Sequence, residues 1–233
     1  MGKRIIQQAR GHGSLTYRVR KKAYRFKIGY PIATTVGKAQ ISKLIDSPAH
    51  SAPLAKLIIN NVSFYVPAFK NMIEGESVEI GKAEKDGDIA RLKDIPTGMK
   101  VFNIEANPGD GGKFVRTSGL GAIITKKSDN QVAILMPSKK EVWFNGECRA
   151  TLGEIAGGGR KEKPFLKAGN KWYAMKSRNK LWPRTSAVKM NVVDHPFGSG
   201  RGKNPKSKIA KRNAPPGKKV GLLRPKRTGR RKR

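Results

Sequence analysis

Cysteine is nearly missing from this sequence: Cys148 is the only one in 233 residues. No intrachain disulfide can form, and a reducing compartment fits. Histidine is scarce too, with His12, His50 and His195 far apart. No paired ligand spacing for a metal exists, so a structural zinc site is not expected. Long apolar runs are absent, because stretches such as "PLAKLIINNVSFYVPAF" are broken by polar residues before a spanning length. The N-terminal "MGKRIIQQARGHGS" has no apolar signal core, so neither a membrane partner nor secretion is expected. Acids are few: 16 Asp and Glu face 50 Lys and Arg, for a net charge of +34. Such a chain repels itself unless a polyanion neutralises it.

What is present is unevenly distributed. Residues 1–50 hold 11 basic residues and one acid, a net +10. Residues 51–158 hold 14 basic and 13 acidic residues, a net +1. Residues 159–233 hold 25 basic and two acidic residues, a net +23. One charge run is usually a solvated face. A near-neutral centre between two basic arms is the footprint of a polyanion binder.

The centre reads as all-β. Short apolar runs, "AKLIIN", "SFYVPA", "SVEIG", "KVFNIEA", "GAIITKK", "QVAILMPS", "EVWFNG" and "CRATLGEIA", are separated by turn signals such as "EGES", "KDGD" and "NPGDGG". The spacing predicts either one barrel of about eight strands or two smaller ones. The glycine-rich "NPGDGGKFVRTSGLG" favours two, with a division after residue 112. The expected layout is a basic extension over 1–50, a first barrel over 51–112 and a second over 113–195. The second barrel carries a basic loop region at 159–195, and a basic tail follows at 196–233.

The arms carry aromatic rings among their cations: Tyr17, Tyr24 and Phe26 in the first, Trp172, Tyr173 and Trp182 in the last. Arg forks pair with phosphate oxygens, and rings stack on unpaired bases. The tail after His195 is poor in apolar residues and on its own is expected to be disordered. Its 38 residues could reach roughly 125 Å when extended. Glycine lets its backbone approach RNA closely, and no recognition helix for duplex DNA is legible. Asp194 and His195 are sequence neighbours, which is not the spatial pairing of a catalytic triad. "GSGRG" lacks the context of a phosphate-binding loop. No enzymatic constellation is visible.

Several segments carry a resemblance. "MNVVDHPFGSGRG" at 190–202 resembles the Met-Asn-x-Val-Asp/Glu-His-Pro-x-Gly-Gly-Gly signature of the universal large-subunit ribosomal protein L-two family. "GKRIIQQARGHGSLTYR", "GGKFVRTSGLGAIITKK", "CRATLGEIAG" and "RNAPPGKKVGLLRPKRTGRRKR" are similar to further segments of its archaeal members, in the same order. The departures are Ser199 within the glycine run, Phe197 after the proline, Trp182 where an arginine stands in the family, and a tail "GKNPKSKIAK" without the family's histidines.

The resemblance implies an OB-like barrel followed by an SH3-like barrel, with long basic, largely irregular extensions. It implies a structural, non-enzymatic role in the large ribosomal subunit. The expected partners are large-subunit ribosomal RNA, other ribosomal proteins and the small subunit at the subunit interface, in the cytoplasm and near the peptidyl transferase region. No cofactor is expected beyond magnesium held by RNA. Lys113, Arg116, Ser118, Gly119, Arg149, Arg184, Asp194, His195 and Pro196 are RNA contacts by motif. Arg4, Arg10, Arg18, Arg20, Arg160, Trp182, Asn191, Gly198, Gly200, Arg201, Lys203, Arg212 and Arg230 join them as residues of the basic segments. The competing reading is a nucleic-acid chaperone or chromatin-like protein that binds DNA and RNA alike.

Overall fold

The computed structural model describes residues 2–160, 162–198, 209–210 and 212–223. Among the described residues, those before Arg20 group with those after Asn170 in one compact unit, and residues 20–170 form the other.

Residues 20–170 hold ten strands: β1 (Gly37–Ile45), β2 (Leu54–Ile59), β3 (Val62–Pro67), β4 (Ser77–Ile80), β5 (Ile89–Arg91), β6 (Lys100–Phe102), β7 (Ala122–Lys127), β8 (Gln131–Leu135), β9 (Glu141–Asn145) and β10 (Arg149–Leu152). All join one open sheet in the order β3-β2-β1-β4-β5-β10-β6-β7-β8-β9. The mostly-β fold is as the sequence predicts. The pairs are antiparallel except β4 with β5, which meet in parallel at Ile80 and Ile89.

Two apolar cores lie along this sheet. The first gathers Ala39, Ile41, Leu57, Phe64, Val78, Ile80, Ile89, Phe102 and Ile155. The second gathers Ala90, Leu92, Ile95, Val101, Ile104, Ile124, Ile134, Phe144, Cys148 and Leu152. Successive strand residues point to opposite faces, and β5 and β6 use that alternation to serve both cores. Ile89 and Phe102 enter the first, while their neighbours Ala90 and Val101 enter the second. Each large apolar side chain among them, such as Ile89, Phe102 or Val101, stabilises the fold by about 1.5–3 kcal/mol when fully buried.

This sharing corrects the expected division after residue 112. Ala90, Leu92, Ile95, Val101 and Ile104 precede that point, yet all pack in the second core. The glycine-rich segment read as a linker is a tethered loop. Asp110 Oδ2 accepts the N–H groups of Ala106 and Asn107 at 3.0 and 3.1 Å, and its Oδ1 accepts that of Gly112 at 3.1 Å.

The basic extension over 1–50 is corrected too. β1 lies inside it, with Ala39 and Ile41 buried and Lys38, Gln40 and Ser42 turned outward. Residues 20–30 dock on the core rather than forming a free arm. Ala23 is buried, Ile28 bridges to Tyr65, and the Phe26 and Tyr65 rings lie 5.0 Å apart. The 159–195 loop region contains a ten-residue helix, α2 (Ala168–Ser177), which follows the four-residue α1 (Ile6–Ala9) in chain order.

Candidate nucleic-acid interface

Of the predicted contact residues that the structure describes, Arg149 is the most deeply buried. Its side chain is buried, and every nitrogen of its guanidinium has a protein partner. Nε and Nη2 donate to Glu105 Oε1 at 3.2 and 2.9 Å, and Nη1 donates to the Pro31 carbonyl at 2.9 Å. The guanidinium also lies 5.2 Å from the Tyr30 ring centre. Burial pushes the Tyr30 phenol well above its ordinary pKa, keeping it neutral. Its hydroxyl donates to the Asn103 carbonyl and sits 2.7 Å from Thr151 Oγ1. Within the fold Arg149 is the buried cation that pairs with Glu105.

The neighbouring predicted residues form a surface around 110–120. Lys113 is exposed and ion-paired with Asp110 at 3.3 Å. Burial raises the Asp110 pKa, but the N–H groups of Asn107, Gly112 and Ala106 together with Lys113 outweigh it and hold the carboxylate below its ordinary value. Arg116 is half-buried and donates to the Gly112 carbonyl at 3.2 Å. Burial depresses its pKa, and its charge adds to the burial that lowers the His50 pKa. The Ser118 N–H donates to Ser51 Oγ at 3.1 Å. Gly119 is exposed at φ +69°, and a Cβ there would stand 2.5 Å from Gly158 Cα. Only glycine fits that crossing. Arg160 is exposed, with Nη1 3.5 Å from the Ser51 carbonyl. Lys113, Ser118, Gly119 and Arg160 thus belong to one unit, as does the exposed Arg20.

The other unit draws on both ends of the chain. Residues 1–19 and 171–233 together carry a net +24, and Asp194 is their single acid. That acid is ion-paired with Lys3 at 3.3 Å, and the Lys3 N–H donates to the Val193 carbonyl at 2.9 Å. A second tie runs from Lys176 Nζ of α2 to the Thr16 carbonyl at 2.9 Å. Arg4, Arg10, Arg18, Arg184, Asn191, Pro196 and Arg212 are exposed.

A cleft of about 560 Å³ opens among these elements, with Arg10, Lys180, Arg184, Asp194 and His195 on its walls. His195 Nδ1 accepts the Phe197 N–H at 3.0 Å, so the neutral ring carries its proton on Nε2 and offers a donor there. Gly198 allows the turn, because a Cβ would meet the Asn191 carbonyl oxygen at 2.2 Å. Trp182 is half-buried beside Lys171, whose Nζ is 5.2 Å from the ring. Gly200, Arg201, Lys203 and Arg230 lie outside the described residues.

Sequence reading missed Lys3 and Glu105 as partners of Asp194 and Arg149. Glu105 carried little signal, since the alternation puts it with Asn103 on the more polar side of its run, whereas both sides are buried in the fold and a buried carboxylate needs a cation. It also missed Trp143, which is 49% exposed on β9.

A near-neutral β core joined to a polycationic unit defines a nucleic-acid-binding scaffold of the kind built into a large ribonucleoprotein. The family model for the C-terminal domain of ribosomal proteins L2 matches residues 85–217. The chain is 44% identical to the large ribosomal subunit protein uL2 of Methanospirillum hungatei, over 99% of this chain and all of that protein. It is 43% identical to the uL2 proteins of Archaeoglobus fulgidus and Hyperthermus butylicus, over 98% and 100% of this chain and 99% and 100% of theirs. The chain belongs to the L2 (uL2) family of ribosomal proteins. Among the described residues, no helix is long and apolar enough to cross a membrane.

Proposed function

We propose that this protein is a structural constituent of the large ribosomal subunit and binds large-subunit ribosomal RNA. The observation that carries this reading is the concentration of +24 in 82 residues whose single acid is tied to Lys3. Charge of that density needs phosphate around it. The names of the archaeal relatives support the same assembly.

In this reading the exposed Arg4, Arg10, Arg18 and Arg184 take phosphates, His195 offers its Nε2–H to ribose, base or phosphate, and residues 196–233 thread between RNA helices. Lys113 and Arg160 add contacts from the β unit. The protein supports assembly, lies near the peptidyl transferase region and aids association with the small subunit, in the cytoplasm, beside other ribosomal proteins. Its role is architectural. Magnesium ions there belong to the RNA.

The test is affinity for large-subunit ribosomal RNA and for duplex DNA of equal length at several salt concentrations. A ribosomal component keeps a preference for its RNA as salt rises. Equal affinities that fall together with salt are the signature of the competing chaperone reading.

A further inference from the structure

The outer face of β7, β8 and β9 is a second candidate for RNA contact, distinct from both basic segments. Register puts Lys126, Ala133 and Trp143 side by side across the three strands. The adjoining row holds Gln131 and Asn145 as direct partners, and the row on the other side holds Ile123, Leu135 and Glu141. Residues i and i+2 share a face on β8 and β9, and a register shift between Ile124 and Lys126 on β7 turns Lys126 to that same face, so all three rows look outward while Ile124, Ile134 and Phe144 fill the second core.

Trp143 is the feature that the fold does not explain. A ring placed for the core is buried, as Phe144 is at 6%, yet its neighbour Trp143 remains 49% exposed. Ala133, its cross-strand partner, is small and completely covered. Lys126 is exposed on the far side of that alanine. Asn145 Oδ1 accepts the Glu147 N–H at 2.9 Å, which leaves the amide NH2 as its outward donor. Glu141 is the one acid in these three strands, and its carboxylate accepts the Thr125 hydroxyl at 2.6 Å.

We propose that Trp143 is a stacking platform for one unpaired base of RNA, with Lys126 on the adjacent phosphate and Gln131 and Asn145 at the base edge. A ring, a cation and amides on one sheet face is the combination by which β-sheet proteins hold single-stranded RNA. A protein partner fits less well, because the apolar Ile123 and Leu135 lie on one side of Trp143 only, and Lys126, Gln131 and Asn145 make the rest of the face polar. This inference rests on the ribosomal RNA-binding reading and adds a site to it.

The full chain is bound to purified large-subunit ribosomal RNA carrying 4-thiouridine, irradiated and mapped by mass spectrometry. Affinity is measured in parallel for Trp143→Ala and Trp143→Phe at several salt concentrations. The expected result is a crosslink at Trp143, an affinity loss of about 10-fold in Trp143→Ala with an unchanged salt slope, and recovery in Trp143→Phe. Because Trp143→Phe keeps a ring on the strand, it reports even if the alanine variant folds poorly. Crosslinks confined to the basic segments, with wild-type affinity in Trp143→Ala, overturn this site and leave the ribosomal reading standing. Failure of the wild-type chain to prefer ribosomal RNA overturns both. Protection of Trp143 by a protein rather than RNA in assembled subunits also overturns the proposal.

Discussion

Glu105 Oε1 accepts two hydrogen bonds from the Arg149 guanidinium, while Glu105 Oε2 accepts the backbone N–H of Arg149 itself at 2.8 Å. The same carboxylate takes the N–H groups of Gly111 and Gly109, at 3.0 and 3.2 Å. One buried acid thus ties the start of β10 to the 106–112 loop. Removing either charge leaves the other buried without its counter-charge. Glu105→Gln and Arg149→Met are each expected to destabilise the protein by about 3–5 kcal/mol, read by denaturant unfolding. The RNA affinity of the folded fraction should be unchanged, which separates Arg149 from the exposed arginines. A drop in affinity at full stability would restore it as an RNA contact.

Gly119→Ala puts a methyl against Gly158 at a backbone angle that L residues rarely adopt. A stability loss of roughly 1–3 kcal/mol is expected. Gly158→Ala is the control, because its Cβ stands 3.6 Å from Gly119 Cα, an ordinary contact. Equal melting temperatures for the two variants would show that the crossing is not rigid.

Acid should weaken the β unit from two directions. The folded His50 pKa lies below its ordinary value, chiefly through burial and then through Arg116. The unfolded chain therefore binds the extra proton first, and stability falls as pH drops below about 6.5. Asp110 is depressed as well, and its contribution is lost only as pH falls through the ordinary carboxylate range near 4. Stability measured from pH 8 to 3 should decline in two stages. His50→Gln should remove the first and keep the second.

Cys148 is fully buried, and its thiol is pushed up to about 11, by burial first and then by Glu105 and Asp110. Thiol reagents at neutral pH should label it only after unfolding. Rapid labelling of the native protein would mean that the second core opens.

His195→Ala should weaken incorporation into the large subunit and leave the isolated fold intact. Both apolar cores lie within residues 39–155, and the His195 ring accepts its hydrogen bond from Phe197, two residues away. Circular dichroism of the variant beside its sedimentation with subunits separates the two effects.

Charge counting found the polycationic segments because like charge needs no tertiary knowledge. It could not tell Arg149 from Arg184. Both stand in basic motifs, but the burial of Arg149 depends on Glu105, 44 positions away. Counting charge also concealed β1. Its "GKAQISKLI" alternates inward Ala39 and Ile41 with outward polar residues, yet it sits among cations that were assigned to an arm. The glycines at 109, 111 and 112 looked like a flexible joint. They are constrained by local hydrogen bonds to Glu105 and Asp110, and Glu105 is itself held by Arg149, 44 positions away. The pairing of Lys3 with Asp194 was hidden for the same reason, since 191 positions separate them.

The central claim is that this chain is built into the large ribosomal subunit through its basic segments. Crosslinking in living cells, followed by gradient sedimentation and sequencing of the attached RNA, tests it most directly. Co-sedimentation with the large subunit is expected, with crosslinks from Arg4, Arg10, Arg184 and His195 to a few sites in its RNA. Protein near the top of the gradient, with crosslinks scattered over many RNAs or DNA, would contradict it.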